Sequence, residues 1–401
     1  MVNVTLEQAI KLLRKHVTHG LESEWVMTRE ASGRVLVEDI YAPFSQPPFH
    51  RSPLDGYAFS AVSSEGASEE SPVSLKVVGE VCAGHTFKGT VKKGEAIRIM
   101  TGAPIPEGCD CVLRQEDTDY GEQVVAIYKA LEPYSNYCFA GEDIKEGHLI
   151  LKKGEKLSAI TLGVLASMGI DRVQVQKKVR VGLLCTGDEL VPLGKPLLEG
   201  KIYNSNGVML EARMKELGID VTVVEYCVDT ASEVGLIIEK LIEQVDLVIT
   251  TGGVSVGKKD IMHDVFKEFD VKRLFWRIAI QPGTPVLGGY FKNKIILGLS
   301  GNPFAALVNF ELLVREIVAE FEKTEYILPI KVRAHMASEF NKVSQKRRFI
   351  RAKYCNGRVS LEHNNHSSGS LYTMSLCNCL IDIPAGNEGP RIGEEVNIVL
   401  L

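Results

Sequence analysis

Residues 250–260 read Thr-Thr-Gly-Gly-Val-Ser-Val-Gly-Lys-Lys-Asp and follow Asp246-Leu247-Val248-Ile249, a short apolar run with the pattern of a buried strand. Glycines at the carboxyl end of such a strand, here Gly252, Gly253 and Gly257, let backbone N–H groups approach an anion closely. In open α/β sheets ligands bind at that end. Ser255 belongs to the same candidate anion loop, Lys258 and Lys259 add positive charge, and Asp260 adds a carboxylate able to hold a cation or orient a water. The plain alternative is a tight connection without a ligand, since glycine pairs mark turns generally.

Acidic residues recur at the same address. Asp188 and Glu189 follow the apolar run Val181–Cys185, Asp229 follows the run that ends at Val228, and Asp260 follows the glycine loop. Strand ends of a parallel sheet lie side by side, so these carboxylates should converge on one rim. A cluster of this kind beside an anion-binding turn suits Mg²⁺-assisted phosphate chemistry, because the hard cation takes carboxylate and phosphate oxygens together. Each Asp taken singly reads as a helix cap. A second turn, Gly298-Leu299-Ser300-Gly301-Asn302-Pro303, opens a long helix, and proline at a first helical position beside free N–H groups suits either an anion site or a simple cap.

Other loops are rich in functional side chains. Residues 48–58 combine prolines with Arg51, Asp55 and Tyr57; residues 100–108 contain Thr101; and Gly141-Glu142-Asp143-Ile144 closes the same region. Further on, Arg347, Arg348 and Arg351 stand near Ser368-Gly369-Ser370, which reads as a solvated basic face or a phosphate clamp.

The elements that must position these groups follow from periodicity. Thr5 and Gln8 form a capping box ahead of Leu6, Ala9, Ile10, Leu13 and Val17 at helical spacing. From Val35 to about Ile144, short alternating runs such as Val73–Val78 and Glu95–Met100 predict a small β-rich module. Leu157–Gly169 reads as a helix. From Val179, strands and helices alternate, ending in a long helix from Pro303 to Phe321, which predicts a mostly parallel sheet covered on both faces. After Glu325 short strands return, as in a compact barrel or sandwich.

The expected fold is therefore multidomain α/β, with a central three-layer domain and flanking β modules. Its division is 1–44 with 145–178 as a discontinuous N-terminal helical and linker domain, 45–144 as the small β domain, 179–324 as the α/β domain and 325–401 as the C-terminal β domain.

Composition narrows the function classes. The 401 residues are 45% hydrophobic and 24% charged, with a formal net charge of −5, which argues against a nucleic-acid protein held by a basic field. No apolar run approaches the roughly 18 residues a bilayer span requires. The N-terminus lacks a signal-peptide pattern, so a cytoplasmic location is expected. Nine cysteines are scattered, and Cys109-x-Cys111 and Cys377-x-Cys379 lack structural zinc spacing, so all read as reduced space-filling thiols.

Taken together, S-P-L-D-G-Y-A, I-M-T-G-A-P-I-P-E-G, G-E-D-I, T-G-D-E-L, I-Y-N-S-N, T-G-G-V-S-V-G-x-x-D and G-N-P, in this order along the chain, closely resemble the MoeA family of molybdopterin molybdenumtransferases, found also as the E domain of gephyrin. The resemblance implies an elongated four-part subunit in a homodimer. It also implies replacement of the adenylate of adenylyl-molybdopterin by molybdate, with Mg²⁺ present and AMP released. In that family the cleft lies between the α/β domain of one subunit and the small β module of the other. Carried over by position, Asp188, Glu189, Asp229 and Asp260 match the acidic residues of the pterin and metal-ion site, with Glu189, Asp229 and Asp260 as metal ligands. Asp55, Thr101 and Asp143 match functional positions of the β module, and Arg351 and Ser370 those of the C-terminal domain. Gly252, Gly253, Ser255, Gly257, Arg277, Gly301, Asn302 and Pro303 complete the substrate-binding set.

The implied partners are a second copy of the chain, the adenylyltransferase that makes the substrate, and the apoenzymes that receive the cofactor. Two departures stand out. The family motif K-P-G-K-P is here Gln281-Pro282-Gly283-Thr284-Pro285, and L-P-G-N-P is Leu299-Ser300-Gly301-Asn302-Pro303. With both lysines replaced, Arg277, Lys258 and Lys259 are the candidates to supply the missing charge. A tungstate preference, a divergent paralogue, a molybdopterin adenylyltransferase and a non-catalytic scaffold are the alternative readings.

Overall fold

The computed structural model describes residues 2–17, 22–254, 261–362 and 367–401. Ser255, Gly257, Lys258, Lys259 and Asp260 lie outside the described residues. The chain divides into two compact units: Met1–Val37 with Gly154–Ser158 and Arg172–Leu401, and Glu38–Lys153 with Ala159–Asp171.

The core of the first unit is a seven-stranded sheet. Its order from one edge is Val2–Val4, Lys272–Ile278, Leu287–Phe291, Lys294–Leu299, Leu247–Thr251, Arg180–Thr186 and Asp220–Cys227. Val181, Leu183, Leu184, Leu247, Val248, Ile249, Ile295, Ile296 and Leu297 are fully buried. Such unbroken apolar runs can be satisfied only where helices cover both faces of the strands. The last four strands of the order pair in parallel, which brings the ends at Leu299, Thr251, Thr186 and Cys227 to one rim. Leu287–Phe291 runs antiparallel between Lys272–Ile278 and Lys294–Leu299.

The helices follow their sequence signals. Leu6–Lys15 carries the expected capping box: Thr5 Oγ1 accepts the Gln8 N–H at 3.2 Å, and Gln8 Oε1 accepts the Thr5 N–H at 2.9 Å. The long helix beginning at Pro303 changes pitch, with α-helical Pro303–Asn309, a π-helical turn Phe310–Val314 and α-helical Arg315–Glu322. The wide turn holds the fully buried Glu311, whose carboxylate accepts from Arg213 Nε at 2.7 Å and Arg315 at 2.5 Å.

A closed barrel occupies the C-terminal region. Arg347–Cys355 pairs with both Arg358–Ser360 and Cys379–Ile383, and Lys331–Met336 and Glu395–Leu400 complete the ring. Ile280–Gln281, from the chain between two strands of the large sheet, adds to the barrel in parallel register with Arg347 and Arg348.

The second unit is built on a five-stranded sheet ordered Cys111–Arg114, Gly56–Phe59, Glu95–Ile99, Val73–Val81 and Val124–Ile127. Tyr57, Phe59, Leu75, Val125 and Ile127 pack together on it. All nine thiols are free, and burial pushes Cys109 up to about 12. Among the described residues no helix is long and apolar enough to cross a membrane.

Candidate functional site

Among the described residues, Asp188, Glu189 and Asp229 follow strand ends on the rim of the parallel sheet. The Arg180–Thr186 strand leads into Gly187-Asp188-Glu189, and its neighbour Asp220–Cys227 leads to Asp229. Asp188 Oδ1 accepts the backbone N–H of Asp229 at 3.1 Å, joining the two strand ends. Gly187 has no side chain to obstruct Glu189, whose carboxylate oxygens lie 2.9 Å from where a Cβ would stand. Burial raises the Asp229 carboxyl above its ordinary value, with Asp188 and Glu189 adding to the rise and the Thr186 hydroxyl opposing it.

The third strand end supplies the glycine turn. Gly252 has φ +96°, and a Cβ there would stand 2.3 Å from the Thr186 carbonyl, so only glycine fits this crossing of the two strand ends. Gly301 faces it: a Cβ on Gly301 would come within 3.7 Å of the Gly252 Cα. Asn206 Nδ2 donates to the Gly301 carbonyl at 2.7 Å, and Asn204 Oδ1 accepts the Gly207 N–H at 2.9 Å, capping Ser205–Glu216. A cleft of about 550 Å³ opens between these elements, lined by Thr186, Glu189, Asn204, Asn206, Gly252, Gly253, Pro285, Gly301, Asn302, Pro303 and Gly369 among others.

Three buried polar atoms around this rim, Asn204 Nδ2, Asn206 Oδ1 and Asp229 Oδ1, have no hydrogen-bond partner among the described residues. Buried polar atoms are ordinarily paired, so unsatisfied donors and acceptors here suit a polar ligand. A divalent cation fits the donor chemistry, since Glu189 and the unpartnered Asp229 oxygen are hard carboxylate ligands. Among the described residues no three His, Cys, Asp or Glu form a metal cluster by themselves.

Three family descriptions match the chain in order: MoeA N-terminal region (domain I and II) over residues 4–169, probable molybdopterin binding domain over 182–320, and MoeA C-terminal region (domain IV) over 333–401. A molybdopterin molybdenumtransferase of Staphylococcus epidermidis is 34% identical over 401 residues, covering 99% of this chain and 95% of that protein. Its namesake from Staphylococcus aureus is 34% identical over 378 residues, covering 94% and 90%. The molybdopterin biosynthesis MoeA protein from Pyrococcus horikoshii OT3 superposes with a TM-score of 0.83 at 32% identity, covering 100% of both chains. The chain belongs to the MoeA family.

Within this MoeA-family cleft, the C-terminal residues act differently from a basic face. Arg351 is 3% exposed and lies over the Phe304 ring, 4.3 Å from its centroid. Its guanidinium donates at 2.5 Å to the carbonyls of both Ser370 and Ser367. The turn it grips caps the Pro303 helix: Phe304 N–H donates to the Ser368 carbonyl at 3.1 Å, and Asn302 Nδ2 to Ser368 Oγ at 3.1 Å. Arg351 thus builds the cleft wall through the Ser367–Ser370 turn, and the helix start is capped by protein groups. Arg347 pairs with Asp382 and Glu7. Arg277, at φ +67°, stacks 4.4 Å from the Trp276 ring centroid and is absent from the cleft lining.

The second unit brings Asp55 and Thr101 together. Asp55 Oδ1 accepts both the backbone N–H and the hydroxyl of Thr101 at 2.7 Å, and these bonds hold the carboxyl below its ordinary value. Asp143 is exposed in a loop whose backbone N–H donates to Gln46 at 3.1 Å. Sequence reasoning passed over Asn204, Asn206 and Thr186 as cleft residues; the N-S-N spacing before a helix was the available signal.

Proposed function

We propose that this chain is a molybdopterin molybdenumtransferase, which replaces the adenylate of adenylyl-molybdopterin with molybdate and releases AMP. The observation that carries the reading is one cleft lined by Glu189, Asn204, Asn206 and the Gly252 and Gly301 turns, with the tied Asp188 and Asp229 on the adjoining strand ends, in a chain of this family.

In this reading Asn204 and Asn206 orient the substrate's polar groups, and the Gly252–Gly253 turn admits it close to the backbone. Glu189 and Asp229, with Asp260 in sequence register, would hold Mg²⁺. Held there, the ion would supply charge neutralisation for the phosphate that leaves as AMP. Asp188 keeps Asp229 in place through its N–H. Asp55, Thr101 and Asp143 are assigned to the same reaction through a homodimer in which the small β module of one subunit completes the cleft of the other. The four-part domain division, a cytoplasmic location and hand-over to cofactor-receiving apoenzymes belong to the same proposal.

The deciding experiment incubates the chain with adenylyl-molybdopterin, Mg²⁺ and either molybdate or tungstate, and follows AMP. Oxyanion-dependent AMP release supports the reading, and the more effective oxyanion fixes the metal preference. No AMP release with either oxyanion, or formation of adenylyl-molybdopterin from ATP, would overturn it.

A further inference from the structure

The cleft is lined by more than its polar turns. Leu190, Ile202, Tyr203 and Leu371 line it together with Glu189 and Asn206. Ile202, Tyr203 and Leu371 are 54%, 39% and 38% exposed. Exposed apolar surface gathered in a cleft, instead of scattered singly, marks a place for a ligand's own apolar surface.

The ribbon that carries this surface is fastened at several points. Ile202–Tyr203 pairs in parallel with Leu190–Val191. Ile202 N–H donates to the Glu189 carbonyl at 2.8 Å, and Lys201 Nζ donates to the Asp188 carbonyl at 2.6 Å. The Tyr203 hydroxyl donates to the Lys195 carbonyl at 2.8 Å, which closes the loop from Val191 to Tyr203 on itself. Lys195 does not line the cleft, so the hydroxyl proton is committed to the ribbon. What Tyr203 brings to the cleft is therefore its ring, fixed by the backbone at one end and by this bond at the other.

Tyr203 is the one aromatic side chain among the described residues that line the cleft. Asn204, Ser205 and Asn206 follow it directly and line the same space. The Asn206 amide is set by its bond to the Gly301 carbonyl at 2.7 Å. A fixed aromatic face beside oriented amides complements a flat heteroaromatic ring, whose face stacks while its edge is polar. A tetrahedral oxyanion has no flat face and gains nothing from this surface.

We propose that Tyr203 is the stacking residue of the cleft and that it binds a flat heteroaromatic ring of the substrate, either the adenine or the pterin. The choice of these two rings rests on the transferase reading, but the test does not require turnover.

The full chain, Tyr203→Leu and Tyr203→Phe are titrated calorimetrically with AMP and, separately, with neopterin as a free pterin. Tyr203→Leu keeps an apolar side chain and removes the flat face, whereas Tyr203→Phe keeps the face and removes the hydroxyl bond. Tyr203→Leu should weaken one of the two ligands by about tenfold, the size expected for one ring stacked on an aromatic side chain. Tyr203→Phe should stay close to the parent for that ligand. The arm that moves identifies the ring. Unchanged affinity for both ligands in Tyr203→Leu, an equal loss in Tyr203→Phe, or no measurable binding of either ligand by the unaltered chain would overturn the proposal. AMP release by the unaltered chain judges the transferase reading separately.

Discussion

Asp188 accepts the backbone N–H of Asp229 at 3.1 Å, so the loops leaving two adjacent parallel strands are tied at the point where their carboxylates meet. Asp188 thereby acts on Asp229 through the backbone, whereas Glu189 lines the cleft and Asp229 keeps a buried, unpartnered oxygen at the strand end. The expected outcome separates these roles. Asp229→Asn and Glu189→Gln should each lower AMP release about a hundredfold or more, with melting temperatures close to the parent. Asp188→Asn, which keeps an acceptor oxygen, should retain more activity than Asp188→Ala, whose Mg²⁺ affinity should fall by about ten- to a hundredfold. Parent-like rates in Asp229→Asn and Glu189→Gln would remove these acids from the mechanism.

The π-helical turn has an energetic counterpart. Glu311 is wholly buried and bonded to both Arg213 and Arg315, and Arg315 also donates to the carbonyls of Ile327 and Leu328. Removing one partner of a buried ion network leaves an uncompensated charge, at a cost of about 3–5 kcal/mol. Glu311→Ala should therefore lower the urea midpoint strongly with an unchanged slope, in contrast to Glu211→Ala, which removes an exposed pair to Lys215. Equal midpoints for the two variants would contradict the network's role.

The sequence was most legible where one element satisfied one rule. The capping box at Thr5 and Gln8 and the unbroken apolar runs at Val181, Leu247 and Ile295 act locally, and their elements formed as expected. The Leu287–Phe291 strand was hidden because Gly288 and Gly289 look like a turn. Both glycines instead make room for the rings of Phe275 and Phe266, each 2.5 Å from where a Cβ would stand. Arg351 was legible as a candidate residue, but its grip on the Ser367 and Ser370 carbonyls was not, because those partners lie 16–19 residues away and no spacing rule encodes such pairs. The rim carboxylates were legible because strand-end position alone places them.

Arg351 grips a turn with two parallel donors, a geometry lysine cannot reproduce. Arg351→Lys should free the Ser367–Ser370 turn and with it the cap on the Pro303 helix. Amides of residues 367–370 and of Phe304 should then exchange faster with deuterium. The substrate concentration for half-maximal AMP release should rise more than the maximal rate falls. Unchanged exchange at Phe304 would show that the cap stands without Arg351.

Asp246 gives a pH-dependent readout of the opposite end of the same sheet. Burial alone would raise its carboxyl, but the guanidinium and backbone N–H of Arg180 and the ammonium of Lys294 outweigh burial and hold it below the ordinary value. A depressed folded value stabilises above the unfolded value of about 3.9 and is lost as pH falls through the folded one. Asp246→Asn should therefore melt lower than the parent at pH 7, and the difference should shrink below about pH 4. A difference constant from pH 7 to pH 3 would mean that the ion pairs do not set it.

Asp55 is fixed by two bonds from Thr101 in one compact unit, and Asp229 lies on the sheet rim of the other, so the two can be disabled independently. If the proposed homodimer shares its clefts, Asp55→Asn and Asp229→Asn are each inactive alone. A mixed dimer, however, contains one cleft with both defects and one with neither. Random exchange makes half the dimers mixed, each with one intact cleft of two, so about a quarter of parent activity should return. Exchange is verified independently by mass-tagged subunits, and the two variants are mixed at equal concentration before AMP release is measured. Clefts built within single subunits give no recovery at any mixing ratio, because every subunit then carries one defect. Proven exchange without recovered AMP release would therefore reject the shared cleft, while leaving the acids of each unit to be judged by their own single-variant rates.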